Sequence, residues 1–397
     1  MKFCTKKPAS PVIQLAMAGL FLIAPLLCVL MAAGCKGANQ SASVSAGQPA
    51  MDPAFAGNDA CLPCHEREYK AHHNSFHDTS LRPATISGLG PATPPTGVVP
   101  LAGYAIDAKG EGFELRRGEG DALEKRQLNY ALGSGKLGVT YVSITGEQLM
   151  ETKMSYFPPY KLWEKTPGQE VHTENDRPFG REHPTTEGRM CLGCHTTALP
   201  VQGLQVARSF YGVGCESCHG PGKAHIEAVK SASSDLKMEK LGKRPPSRLN
   251  EMCGKCHRTA NAVDLDTPEV NLTHRFQPYA LQRSSCRTKD NEPLSCLFCH
   301  DPHQNVSDDK PPYERVCKSC HGGALEGINA ATRAAVRTSK PCPVSPKQNC
   351  IQCHMRPKTV FPLTSVPAKM ADHLISPPGM GTMRKNPTLG PAVNTFK

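Results

Sequence analysis

Seven pentapeptides bring two thiols and one imidazole together in a single fixed spacing, Cys-x-x-Cys-His. They supply Cys61, Cys64 and His65; Cys191, Cys194 and His195; Cys215, Cys218 and His219; and Cys253, Cys256 and His257. The last three supply Cys296, Cys299 and His300; Cys317, Cys320 and His321; and Cys350, Cys353 and His354. Two thiols three positions apart reach the two vinyl groups on one porphyrin edge, and the adjacent histidine then reaches the iron. The spacing therefore predicts seven covalent haem c groups, each with its own proximal histidine. A zinc half-site or a thioredoxin-like pair explains one or two isolated Cys-x-x-Cys copies. Neither requires a histidine after the second cysteine in every copy.

Nine further histidines remain: His72, His73, His77, His172, His183, His225, His274, His303 and His373. They are enough to give every iron a second imidazole. Such bis-histidine ligation closes the metal to small molecules and favours electron transfer. Met355 directly follows His354, too close to reach the opposite face of the same haem, and is read as packing. Cys286 and Cys342 belong to no pentapeptide; a disulfide between them is expected, with two free thiols as the alternative.

The segments around these residues resemble multihaem c-type cytochromes related to the tetrahaem electron carrier of nitrification and to octahaem hydroxylamine oxidoreductase. The resemblance rests on Gly214 to His225, with its Gly220-Pro221-Gly222 turn, and on Leu294 to His303, with its Asp301-Pro302-His303 ending. It also rests on Asn74-Ser75-Phe76-His77 and Asp372-His373-Leu374-Ile375, and it covers most of residues 58–376. It implies that His77, His225, His303 and His373 are distal ligands to haems other than their sequence neighbours. His172 and His274 are additional candidates, followed by His72, His73 and His183.

Two activities follow from the resemblance. The favoured one is an electron-transfer protein. The alternative is an oxidoreductase with one open-site haem acting on a small nitrogen or sulfur compound. All seven motifs end in histidine, whereas the active haem of ammonia-forming nitrite reductases often uses a motif ending in lysine. That speaks against nitrite reduction of that type. A third possibility is a scaffold subunit in a larger respiratory or extracellular assembly.

The elements that must position these groups are read from the remaining chain. Residues 1–35 carry Lys2, Lys6 and Lys7, then an apolar run from Val12 to Ala33, and they read as a secretory signal. Ala32-Ala33-Gly34-Cys35 resembles a bacterial lipoprotein signal, which makes Cys35 a lipidation candidate and a membrane anchor. Ordinary cleavage, or an uncleaved anchor of about 20 apolar residues, are the alternatives. An exported chain on the periplasmic side of a bacterial membrane, served by redox partner proteins, is the resulting expectation. Residues 36–57 read as a flexible linker, 58–82 as a first haem-binding segment, 83–176 as a β-rich Cys-free insertion and 177–397 as a six-haem domain.

Within the insertion, Val139 to Ile144 is the clearest strand, and Gly103–Arg117 and Leu137–Met150 alternate in the same way. Residues 224–230 and 324–337 read as helices. The chain is only 39% hydrophobic, with 34 Gly and 36 Pro. Such a composition makes a poor core unless haems contribute apolar surface. The expected fold is therefore mostly α and irregular, organised around stacked haems, with a small β-rich insertion. The net charge is +11, and three of those charges lie in residues 1–34. Haem propionates would neutralise much of the remainder, so the basic excess gives no case for nucleic acid.

Overall fold

The computed structural model describes residues 49–170, 177–259, 275–286, 294–321, 342–345 and 348–377. The signal, Cys35, His172, His274 and the helix expected over 324–337 lie outside these residues. No helix among the described residues is long and apolar enough to cross a membrane.

Alternating apolar residues between 81 and 184 form ten strands: β1 (Leu81–Pro83), β2 (Gly97–Val98), β3 (Tyr104–Lys109), β4 (Gly112–Arg117), β5 (Glu124–Leu128), β6 (Tyr130–Leu132), β7 (Val139–Thr145), β8 (Gln148–Phe157), β9 (Leu162–Lys165) and β10 (Gly180–Pro184). Strands β2-β3-β4-β5 make one antiparallel sheet. A second sheet runs β1-β6-β7-β8-β10, with β9 also paired to β8. It continues past residue 176, because β10 pairs with β8 from Gly180↔Thr152 to Pro184↔Gln148.

Period-two alternation divides the second sheet into two faces. Ala131, Tyr141, Met154 and Tyr156 face a core shared with Ile106, Phe113 and Leu115 of the first sheet. Leu81, Tyr130, Val142 and Leu149 face Leu192, Leu204, Val206 and Phe210 of the following haem-motif region. With both faces covered, Leu149–Phe157 of β8 is buried at every position but Glu151.

The expectation of a mostly α and irregular fold is not met. Helix takes up only 32% of the chain and strand 22%, in several antiparallel sheets. The helices are α1 (Glu66–His72), α2 (Ile86–Leu89), α3 (Thr185–Gly193), α4 (Cys215–His219), α5 (Lys223–Lys230), α6 (Pro246–His257), α7 (Gln277–Gln282), α8 (Pro311–His321) and α9 (Cys350–His354). None exceeds the 12 residues of α6. Left-handed or turn conformations stop them early: Gly220 at φ 81 ends α4, Arg258 at φ 61 ends α6 and Asn349 at φ 64 precedes α9. Meanwhile the β-branched and aromatic run from 139 to 157 favours extended chain. A short hairpin, β11 (Pro357–Thr359) with β12 (Lys369–Ala371), follows the last motif.

Candidate haem sites

In a helical turn, residues i and i+3 share a face and i+4 lies beside them. The helical sockets at the end of α6 and α8, and in α4 and α9, therefore direct both thiols and the histidine to one side. Socket 296–300 begins as a 3-10 turn, Cys296–Phe298. Socket 61–65 follows another, Asn58–Cys61.

Four of the seven motif histidines face a second histidine from a remote segment. Ring centroids lie 6.4 Å apart for His65 and His225, 6.1 Å for His77 and His257, 6.4 Å for His219 and His303, and 6.2 Å for His300 and His373. Two metal–imidazole bonds of about 2.0 Å, plus about 1.1 Å from each centroid to its coordinating nitrogen, give about 6.2 Å. Each gap therefore has the width that one iron held between two imidazoles requires, and the residues fit a bis-histidine haem. The ring planes meet at 32°, 71°, 15° and 28° respectively.

Hydrogen bonds to backbone carbonyls orient several rings. Nδ1 of His195 donates to the Ser80 carbonyl at 2.9 Å, His225 to Leu236 at 2.8 Å, His354 to Ser376 at 2.9 Å and His373 to Ala371 at 3.1 Å. Spending Nδ1 in this way leaves Nε2 for the metal. His303 instead hydrogen-bonds the Asp301 carboxylate at 3.0 Å, and its backbone N–H donates to the same oxygen at 3.0 Å. These bonds hold Asp301 below the usual carboxylate range. Burial lowers the pKa of His77, His195, His219, His257 and His300, and takes His373 to about 4. The rings are thus neutral at pH 7, the form that ligates metal.

The sheet and the loops hold these segments together. Ser80, next to β1, accepts from His195 through its carbonyl and from Val213 N–H through its hydroxyl at 3.2 Å. Val213 N–H also donates to the His77 carbonyl at 2.9 Å. Gly212 permits this approach: it sits at φ +71, and a Cβ there would lie 1.9 Å from the Asp78 carbonyl oxygen. Only glycine fits.

The other histidines go elsewhere. His73 stacks on Tyr69 at 5.8 Å and lies 3.4 Å from Asp78. His72 is lowered in pKa by burial, with Asp78, His77 and His303 nearby. His183 is 9% exposed and lies 3.1 Å from Glu187 and 4.0 Å from Glu151. Among the described residues, no histidine ring pairs with His195 or His354. Cys286 and Cys342 are both free thiols, so the expected disulfide is not formed.

Thiols of different sockets are neighbours. The Cys61 thiol lies beside that of Cys215, Cys194 beside Cys256 and Cys253 beside Cys296. Two oriented groups carried no sequence signal as ligand supports: the Ser80 carbonyl, because any residue supplies one, and Glu216, because it occupies a variable position of its motif.

Residues 153–220 match the family model described as cytochrome c554 and c-prime. The multiheme cytochrome MtrA of Shewanella baltica (strain OS185) is 23% identical over 196 residues, covering 38% of this chain and 58% of that protein. Cytochrome c-554 of Nitrosomonas europaea is 33% identical over 115 residues, covering 23% of this chain and 48% of the relative. Over these segments the chain is similar to multihaem c-type cytochromes. Covalently bound haem c is the cofactor that this similarity implies. The chain spans about half the length of the curated relatives it matches. Among solved structures, the outer cell wall cytochrome OcwA aligns at a TM-score of 0.42 and 17% identity, covering 81% of this chain and 80% of that one.

Proposed function

We infer that the chain is an exported electron-transfer cytochrome carrying seven haem c groups, mainly with two histidines on each iron. The observation that carries this reading is the set of four histidine pairs at 6.1–6.4 Å, each joining a motif to a separate segment. Haem c when bound supplies a one-electron ferric/ferrous couple. The protein's part is to fix both imidazoles and hold neighbouring sockets in contact. Cys35 would tether the chain to a membrane and redox partner proteins would load and unload it.

A second reading, an oxidoreductase with an open iron acting on a small nitrogen or sulfur compound, is favoured by His195 and His354, which no described histidine ring opposes. One measurement separates the two. Haem content and carbon monoxide binding are determined on the reduced protein made in a cytochrome-competent host. Seven haems per chain with no carbon monoxide uptake is the expected result. Stoichiometric uptake at one haem would instead support the enzyme reading, and a colourless denatured polypeptide would overturn both.

A further inference from the structure

Glu216 is a carboxylate that is 3% exposed, inside the socket that binds through Cys215 and Cys218, yet its oxygens serve a different haem site. Oε1 accepts the Ala56 N–H at 2.8 Å and the Gly222 N–H at 2.6 Å, while Oε2 accepts the Gly57 N–H at 2.8 Å. Ala56 and Gly57 immediately precede the Asn58–Cys61 turn that leads to His65. Gly222 is the N-cap residue of α5, the helix that carries His225. His65 and His225 face each other at 6.4 Å.

We propose that Glu216 is the positioning residue for both axial histidines of the haem attached at Cys61 and Cys64. The proposal rests on reading His65 and His225 as that haem's axial pair.

Asn58 ties the first arm to the segment before Cys215, donating to the Tyr211 carbonyl at 2.9 Å and accepting from the Thr197 hydroxyl at 2.7 Å. One direct bond joins the two arms, from Lys223 N–H to the Ala54 carbonyl at 3.2 Å. α5 has no side-chain cap, so the Gly222 N–H depends on Glu216. Gly57 sits at φ +90, where a Cβ would lie 3.1 Å from the Ser209 Cβ, and a Cβ on Gly222 would lie 3.1 Å from Glu216 Oε1. A buried carboxylate accepting three N–H groups cannot be matched by an amide, which replaces one acceptor oxygen with a donor. The haem gap between His65 and His225 thus depends on a residue of the neighbouring socket.

The test uses the full-length, haem-loaded protein and three variants: Glu216→Gln, Glu216→Asp and His225→Ala. Each is measured by electron paramagnetic resonance of the oxidised form and by carbon monoxide binding to the reduced form. His225→Ala is expected to give one high-spin iron per chain. Glu216→Gln is expected to give the same new signal, up to one iron per chain, with the other haem signals unchanged. Adding it to His225→Ala should create no further high-spin iron. Glu216→Asp, which keeps both acceptor oxygens, should restore the low-spin signal. If Glu216→Gln fails to mature while Glu216→Asp loads normally, the carboxylate requirement is supported. A native spectrum for Glu216→Gln, or equal damage at every haem, overturns the positioning role. A native spectrum for His225→Ala overturns the axial pairing on which it rests.

Discussion

Replacing His77 with alanine isolates one iron by its magnetic signature. An imidazole plane donates π density into one of two iron d orbitals. Parallel planes separate those orbitals in energy, whereas crossed planes leave them nearly degenerate, and the low-spin ferric signal becomes much more anisotropic. His77 and His257 cross at 71°, while the other three pairs lie at 15°, 28° and 32°. The oxidised protein should therefore show one highly anisotropic low-spin signal and three rhombic ones from these four sites. His77→Ala should abolish the anisotropic signal completely and add one high-spin ferric iron per chain. The backbone need not move, since the His77 carbonyl still accepts from Ser80 N–H at 3.1 Å and Val213 N–H at 2.9 Å. Spin-quantified paramagnetic resonance at cryogenic temperature is the assay, and added imidazole should restore a low-spin centre. Persistence of the anisotropic signal, or loss of a rhombic one in its place, would refute the pairing of His77 with His257.

Two other outcomes follow from the sheets. His183 has its pKa raised chiefly by the Glu151 carboxylate 4.0 Å away, opposed by burial and aided by Glu187, while Arg181 on the same strand lowers it. A raised folded-state value stabilises the protein fully below the unfolded pKa of about 6.5 and ceases to do so as pH rises through the folded value. The thermal midpoint of the parent should exceed that of His183→Gln most at pH 6 and converge with it at alkaline pH; a difference independent of pH would contradict this. Phe113 is fully buried between the sheets, so Phe113→Ala should cost about 3–5 kcal/mol in denaturant unfolding, and a loss below about 1 kcal/mol would mean that this core is not packed as described.

The sockets were legible because their chemistry is local: two thiols and one imidazole fit within five residues. His77, His225, His303 and His373 were also nominated from sequence patterns. Which motif histidine each faces depends on chain crossings such as Gly212 against Asp78, and those crossings leave no periodic trace. The extent of the sheets was missed for a different reason. A low overall apolar fraction hid how strongly apolar residues concentrate in 139–157, and the strand β10 lies beyond the boundary drawn from cysteine spacing. His183 looked like a spare ligand, but its neighbours are Glu187 and Glu151.

The contacts of Cys61 with Cys215, Cys194 with Cys256 and Cys253 with Cys296 bear on biogenesis. A polypeptide that collapsed before receiving its porphyrins would press together sulfurs that belong to separate cofactors, and an oxidising environment would crosslink the wrong partners. Were haem c attached at these pentapeptides, attachment ahead of tertiary closure would keep those sulfurs apart from the wrong partners.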